Sequence, residues 1–315
     1  MGETFEARVI AAYGRHLLVR DHADTDWKAR PFGRALSVVA GDQVRCRHDT
    51  RHEQVHVIEI LPREHALYRS TLRGAAEAVV ANLTQLLVVL APTPKPDLFV
   101  VDRYLAAAAS AGLPATLLVN KADLGVEPGL AAELEVYARI GYTHVAGIAR
   151  PDKARGTAVA APGFEALAAL TASQVSVLVG QSGVGKSSLV RRLVPDAEVA
   201  IGELMREEEG RHTTTASRMF TLPGGGWLID SPGVRDFAPA VDHLEPRTLG
   251  FPEVAELAPG CRFQDCRHMR EPHCAVRAAV ESGAMHARRY ESYRRLRRLQ
   301  EDLIAARGPG GRRER

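Results

Sequence analysis

The sequence lacks the features that place a chain in a membrane or outside the cell. No apolar run approaches the roughly 18 residues that cross a bilayer, and the richest stretch, 83–119, is interrupted by prolines and charged side chains. The opening residues MGETFEARVI show no basic stretch followed by an apolar one, and Glu6 does not fit a myristoylation site. The sequence therefore predicts a cytoplasmic protein with no membrane partner.

Cysteine and lysine are both scarce. Three of the four cysteines lie between Cys261 and Cys274, and in a cytoplasmic chain such crowding favours a metal site over disulfides. The isolated Cys46 is expected to be a small buried side chain. Only five lysines occur among 41 basic residues, and two of them, Lys121 and Lys186, lie in motifs that require lysine.

An excess of one charge sign is also missing. A net charge of +3 is too close to balance for the whole surface to attract nucleic acid, so a basic partner surface must be local. The arginine-rich segment 288–315 is the candidate, and its spacing suits a helix with a basic face. It fits a solvated helix with a disordered tail as well as it fits a helix that contacts RNA.

The pattern of residues divides the chain into three parts. Residues 1–63 contain about five short strands with turn signals such as Gly41, which predicts a small OB-like β-barrel that either binds RNA or serves only for packing. Residues 64–240 alternate apolar strands with helices, which predicts a parallel α/β sheet with ligands at the carboxyl ends of its strands. Residues 241–315 are polar and then helical, which predicts a small third module.

A phosphate-binding loop follows the apolar strand VSVLV and opens a helix, in the sequence GQSGVGKS. Its glycines let backbone N–H groups surround phosphate oxygens, Lys186 is expected to reach the β- and γ-phosphates, and Ser187 to ligate Mg²⁺. A merely structural turn is a poor explanation for this pattern in this context. The nucleotide-binding residues predicted here are Gly180, Gln181, Ser182, Gly183, Val184, Gly185, Lys186, Ser187 and Ser188.

A guanine-reading motif follows the strand ATLLV: Asn120, Lys121, Ala122 and Asp123. The Asp123 carboxylate can accept hydrogen bonds from N1–H and the 2-amino group of guanine, whereas adenine offers no donor at either place. Asn120 is expected to tie this loop to its neighbours, and the stem of Lys121 to cover the base. The four residues could alone be a helix cap, but together with a phosphate loop they favour GTP over ATP.

Two switch segments complete the predicted site. Asp230 begins the sequence DSPG after an apolar strand and is placed to hold Mg²⁺ through water, while the Gly233 N–H would contact the γ-phosphate. Thr214, in the sequence GRHTTT, would complete the Mg²⁺ shell only when the γ-phosphate is present.

The order of the motifs is permuted, because the base reader precedes the phosphate loop by about 60 residues. A circular permutation of the sheet keeps every contact. One consequence is that the DSPG segment leads directly into the C-terminal module.

With this order and the segments GQSGVGKSSL, GRHTTT and DSPGVRDF, the chain resembles the RsgA (YjeQ) family of ribosome small-subunit-dependent GTPases over essentially its whole length. The resemblance implies an OB barrel, a circularly permuted P-loop GTPase domain and a zinc-binding, mostly helical C-terminal module. It implies GTP hydrolysis in late maturation of the 30S subunit, stimulated by that subunit, with GTP, GDP, the 30S subunit and 16S rRNA as partners of a monomer. The alternative function is an rRNA-binding checkpoint that uses GTP only for conformational selection.

The resemblance also implies one structural Zn²⁺ ion, held by three thiolates and one imidazole. Its ligands match Cys261, Cys266, His268 and Cys274, with His273 as the alternative imidazole.

The sequence departs from the family pattern near the guanine base, and from the pattern of many GTPases at the catalytic group. No Ser-Ala pair follows the base reader, so backbone atoms of 146–149 are expected to support the guanine. Val234 stands where many GTPases place a water-orienting Gln, which leaves His212 as the catalytic candidate or as a structural residue.

Overall fold

The computed structural model describes residues 3–33, 36–49, 52, 54–70, 76–148, 162–195, 216–230 and 238–306. The strands are β1 (Thr4–Tyr13), β2 (His16–Asp21), β3 (Asp26–Pro31), β4 (Gln43–Asp49), β5 (Gln54–Ile60), β6 (Ala66–Ser70), β7 (Ala76–Ala81), β8 (Gln85–Leu90), β9 (Ala115–Asn120), β10 (Thr143–Ile148), β11 (Val175–Val179), β12 (Ala216–Thr221) and β13 (Trp227–Asp230). The α-helices are α1 (Leu98–Ser110), α2 (Pro128–Arg139), α3 (Pro162–Thr171), α4 (Lys186–Leu193), α5 (Pro252–Leu257), α6 (Ala275–Glu281) and α7 (Ala287–Ala306).

The first five strands form a closed barrel in the order β1-β2-β3-β5-β4, with β4 returning to β1. Only the β3–β5 pair is parallel, which is the topology of an OB barrel. Alternate side chains point inward, and Val9, Val19 and Val57 are fully buried in the barrel core. The predicted OB-like barrel is confirmed. Cys46 lies in the same core, where burial raises the pKa of its thiol to about 12.

The central sheet has the order β10-β9-β8-β11-β13-β12, and all its neighbouring pairs are parallel except the antiparallel pair of β12 with β13. Every residue of β8 is buried. Leu86 and Val88 pack into the layer that contains α1 and α2, whereas Leu87 and Val89 pack into the layer that contains α3 and α4. Burial on both faces explains why β8 reads as a continuous apolar run.

The barrel and the central sheet share backbone hydrogen bonds, which the sequence did not predict. The first half of β1 pairs with β4, and after a bulge between Val9 and Ala11 its end pairs with β12. A second unpredicted feature is the β6–β7 hairpin, a separate two-stranded sheet that follows the barrel.

The C-terminal module is helical, as predicted. Its core contains Phe251, Val276 and Tyr293, and it packs against Ala106 of α1. None of the helices within the described ranges is long and apolar enough to span a bilayer.

The described part of the arginine-rich segment, 288–306, lies in the helix α7, but its arginines do not all lie on one solvated face. Arg289 and Arg297 are buried, because Arg289 pairs with carboxylates and Arg297 donates to the carbonyls of Pro246 and Arg247. The basic face is therefore smaller than the sequence suggested.

Gly41 allows the barrel to pack closely against the end of β7. Its φ is +91°, and a Cβ there would lie 2.0 Å from the carbonyl oxygen of Ala81 at the end of β7. The Gly41 N–H donates to Val9, and its carbonyl accepts from the Asn82 side chain.

We predict that Gly41→Ala lowers the free energy of unfolding by at least about 3 kcal/mol, because a strained φ and a backbone clash add. The matched control is Gly14→Ala, whose φ is +60° but whose Cβ would meet nothing within 4 Å; it should cost about 1 kcal/mol. Urea unfolding measures both, and equal losses would contradict the close-approach argument.

Candidate functional site

Four parallel strands bring the predicted motifs to one edge of the central sheet. The strands β8, β9, β11 and β13 all run in the same direction. The phosphate loop follows β11, the segment from Asn120 lies at the end of β9, and Asp230 ends β13. Segments about 60 residues apart in sequence therefore meet at the carboxyl ends of neighbouring strands.

The phosphate loop turns tightly against β8. Gly180 has a φ of +143°, and a Cβ there would lie 2.2 Å from the carbonyl oxygen of Val89. The Lys186 ammonium donates to the carbonyls of Gly180 and Gln181, at 2.6 and 2.8 Å. Val184 is buried in the apolar layer beneath the loop. The loop backbone thus lies directly against β8, and the loop's own carbonyls hold the Lys186 side chain.

The loop leads directly into α4. This helix begins at Lys186, after Gly185 with a φ of +99°, and Ser187 and Ser188 occupy its first turn. Ser182 and Gly183 are exposed at the tip of the loop. The N–H groups of a first helical turn lack intrahelical acceptors, which suits them to an anion.

Asn120 and Lys121 contact the phosphate loop directly. The Asn120 side-chain amide donates to the carbonyl of Val184 at 2.8 Å, and a Cβ at Gly185 would lie 2.3 Å from the same amide nitrogen. The Lys121 ammonium donates to the carbonyls of Thr93 and Gly183, at 2.8 and 2.7 Å. The two motifs therefore form one hydrogen-bonded unit.

Asp123 lies just beyond this unit. It belongs to a single 3₁₀ turn, Ala122–Leu124, and is exposed at the same sheet edge.

Asp230 is half-buried at the end of β13, opposite Arg218 of β12. Three predicted residues, His212, Thr214 and Gly233, lie outside the described residues, as does Val234.

A second site lies in the C-terminal module. The ligand atoms of Cys261, Cys266, His268 and Cys274 all lie within 4.8 Å of one another. The Nδ1 atom of His268 is 3.4 Å from the sulfur of Cys261 and 3.5 Å from that of Cys274, and these two sulfurs are 3.9 Å apart. The structure thus brings together four residues that could hold a metal ion, with His268 and not His273 as the imidazole.

The spacing and the chemistry of this cluster both fit a metal. Tetrahedral ligands at about 2.3 Å from Zn²⁺ are separated by about 3.8 Å, close to the separations given above. Without a cation, burial and the neighbouring thiols raise the pKa of Cys266 to about 12. At neutral pH the metal-free Cys266 is therefore a protonated thiol, and a bound metal would stabilise its thiolate and release the proton.

Backbone contacts support the cluster. The Tyr290 hydroxyl donates to the carbonyl of His268 at 2.7 Å. Glu271 accepts from the N–H groups of Arg267 and Met269; although burial raises the pKa of its carboxyl, backbone hydrogen bonds lower it to about 2. The Glu271 carboxylate thereby holds the turn between two ligands.

Sequence reasoning missed a contact between the phosphate loop and α1. The N–H of Asp97 donates to the side-chain oxygen of Gln181 at 3.1 Å. Asp97 caps α1 by accepting from the N–H of Phe99. An aspartate before a helical pattern is a cap signal that the sequence offered, but its contact with Gln181 depends on the tertiary fold.

A family profile described as RsgA GTPase matches residues 60–239, which is more than half of the chain. The chain belongs to the RsgA GTPase family. The matched range contains the phosphate loop, the Asn120 motif and Asp230, so membership rests on the elements that form this site. It confirms the prediction of a GTP-hydrolysing enzyme.

Curated relatives of the RsgA family match most of the chain. A protein of Ectopseudomonas mendocina is 43% identical over 264 residues, covering 82% of this chain and 74% of the relative. A protein of Chromohalobacter salexigens is 41% identical over 299 residues, covering 92% of this chain and 84% of the relative. Both are named small ribosomal subunit biogenesis GTPase RsgA.

Solved structures show the same fold at low sequence identity. YjeQ from Thermotoga maritima is 23% identical with a TM-score of 0.68 and covers 99% of this chain and 100% of its own. YloQ, described as a circularly permuted GTPase, is 22% identical with a TM-score of 0.67 and covers 95% of this chain and 96% of its own. The permuted architecture predicted from the motif order is thereby confirmed.

We predict that Cys261→Ser abolishes metal binding by the purified protein, because a hydroxyl cannot replace a thiolate ligand at neutral pH. The matched control is Cys46→Ala, which alters a cysteine buried in the barrel core. Elemental analysis after gel filtration should find the metal in the control and not in Cys261→Ser. Equal metal content in both would refute the assignment.

Proposed function

We propose that this chain binds GTP with Mg²⁺ at the carboxyl edge of the central sheet and hydrolyses it during late maturation of the 30S ribosomal subunit. One observation carries the proposal: the Asn120 amide donates to the phosphate-loop carbonyl of Val184. This contact fixes the base reader and the phosphate loop relative to each other. A nucleotide that spans both is selected by its base and its phosphates together.

In this proposal the residues Gly180 to Ser188 hold the phosphates. The positive φ of Gly180 and Gly185 supports a backbone cradle, and the first turn of α4 contributes its N–H groups. Lys186, which donates to Gly180 and Gln181, would transfer its hydrogen bonds to the β- and γ-phosphates. Phosphate oxygens are stronger acceptors for an ammonium than neutral carbonyls are.

The base is recognised by the segment Asn120 to Asp123. The exposed Asp123 carboxylate would accept from the two donors on the guanine edge. Lys121, anchored on Thr93 and Gly183, would lay its aliphatic stem along the base. An ATP-specific site is disfavoured because adenine would leave the carboxylate unpaired.

Ser187 and Thr214 would hold Mg²⁺, with Asp230 acting through water and the Gly233 N–H contacting the γ-phosphate. The ion neutralises phosphate charge during transfer. His212 would orient the attacking water. These assignments rest on the residue types and on their positions in the motifs. Of these residues, Ser187 and Asp230 are described by the structure, and both lie at the carboxyl edge of the central sheet.

The metal of the Cys261, Cys266, His268 and Cys274 cluster is proposed to be a structural Zn²⁺. Four protein ligands with sulfur and nitrogen donors close the coordination shell, so no position is left for a reacting water. The ion would then hold the turns before α6 in place.

The ribosomal role rests on the relatives, which are named small ribosomal subunit biogenesis GTPases. We propose that this chain is likewise a cytoplasmic monomer and that its partners are the 30S subunit and 16S rRNA. The division into 1–63, 64–240 and 241–315 belongs to the same proposal.

We predict that Asp123→Asn weakens GTP binding by at least about 100-fold and improves binding of xanthosine triphosphate, whose 2-carbonyl accepts from the new amide. Competition against a fluorescent GDP analogue measures both affinities. Glu127→Gln is the matched control, since Glu127 is exposed in the same loop and its side chain makes no cap hydrogen bond. Unchanged nucleotide preference in Asp123→Asn would contradict base reading by Asp123.

We also predict that His212→Ala lowers 30S-stimulated turnover by at least about 100-fold and leaves GTP affinity unchanged, because the imidazole acts on water and not on the nucleotide. His144→Ala, which alters an exposed histidine on β10, should retain stimulation. Phosphate release is measured with and without 30S subunits. If 30S subunits do not stimulate the unaltered protein, hydrolysis is incidental to its ribosomal role and the checkpoint function is favoured. Normal turnover in His212→Ala would remove only the catalytic assignment.

A further inference from the structure

Helix α1 touches the phosphate loop at its first turn. The N–H of Asp97, the cap residue, donates to the side chain of Gln181 at 3.1 Å. The Asp97 carboxylate in turn accepts from Phe99 and Val100. A displacement of this helix end would therefore move an acceptor that belongs to the phosphate loop.

The same helix carries a buried charge that contacts the C-terminal module. Asp102 is fully buried and accepts from Arg288 at 2.6 Å and from Arg289 at 2.8 Å, both on α7. The Tyr137 hydroxyl of α2 donates to it at 2.6 Å. Three donors on two helices converge on one carboxylate, which fixes its position closely.

Further contacts complete the charge balance. Arg289 donates two hydrogen bonds to Glu253 of α5, and Arg288 donates one to Glu133 of α2. Because these charges are largely removed from water, loss of one partner leaves another buried and unpaired. These charged pairs therefore hold α1 and α7 in one relative position, because sliding one helix along the other would separate the partners.

A neighbouring residue of α1 holds the chain where it passes between modules. Arg103 donates to the carbonyl of Pro239 at 2.6 and 3.2 Å. Pro239 lies between the strand that ends at Asp230 and the helices of the C-terminal module. Helix α1 thus contacts the phosphate loop, the chain at Pro239 that leads into the C-terminal module, and α7.

We propose that Asp102 is a positioning residue through which the C-terminal helix α7 sets the position of the phosphate loop. The connection runs from Arg288 and Arg289 to Asp102, along α1 to Asp97, and from there to Gln181. It is a second path between the C-terminal module and the nucleotide, separate from the covalent path through the DSPG segment. The inference rests on the proposed nucleotide site.

A double-mutant cycle on GDP affinity tests this path in the intact 315-residue chain. Asp102→Asn and Gln181→Met should each weaken binding of fluorescent GDP by about fivefold. The decisive measurement is Asp102→Asn in the Gln181→Met background, where it should have no further effect because the connection is already cut. The proposal is overturned if Asp102→Asn weakens GDP binding by the same factor in both backgrounds. It is also overturned if folded Asp102→Asn binds GDP with unchanged affinity.

Arg288→Gln is a second variant in case Asp102→Asn does not fold, as judged by circular dichroism. It removes one donor to Asp102 and should show the same background dependence. Glu133→Gln is the matched control, since it removes the other partner of Arg288 without touching Asp102, and its GDP affinity should stay unchanged; a loss equal to that of Arg288→Gln would also overturn the proposal. Failure of the unaltered protein to bind GDP would instead refute the proposed function.

Discussion

The pairing of β8 between β9 and β11 is the constraint on which the site depends. β8 is buried along its whole length and hydrogen-bonds to both neighbours in parallel. It therefore places the segment after β9 beside the loop after β11. Its residue Val89 also provides the carbonyl against which only a glycine fits at position 180, and the chain leaving it leads into α1. A change in the register of β8 would displace the base reader, the phosphate loop and the helix together.

The elements that sequence reasoning found share two properties. The strands β8, β9 and β11 are apolar runs that are almost entirely buried, and a chemically distinctive motif follows β9, β11 and β13. The barrel strands were recognised because residues alternate along them and glycines punctuate them. The metal cluster was recognised because cysteine is otherwise rare in the chain.

The features that were missed depend on distant partners. Nothing local in β1 indicates that its end pairs with β12, since edge pairing depends on which strand the fold brings alongside. The β6–β7 hairpin is short and its residues alternate only weakly. The arginines of α7 were misjudged for a similar reason, because Asp102 and Glu253, which allow Arg289 to be buried, lie 187 and 36 residues away in sequence. Charge patterns in one segment do not reveal such compensation.

The shared hydrogen bonds between β1 and β12 have a mechanical consequence. Domains joined by a linker usually reorient freely, but here the register of Ala11 to Tyr13 against Ala216 to Arg218 ties the barrel to the strand next to β13. This pairing therefore restricts how the barrel can move relative to the edge of the central sheet. Any displacement of the barrel would act on β12 through these backbone hydrogen bonds, and through the β12–β13 pairing on the strand that ends at Asp230.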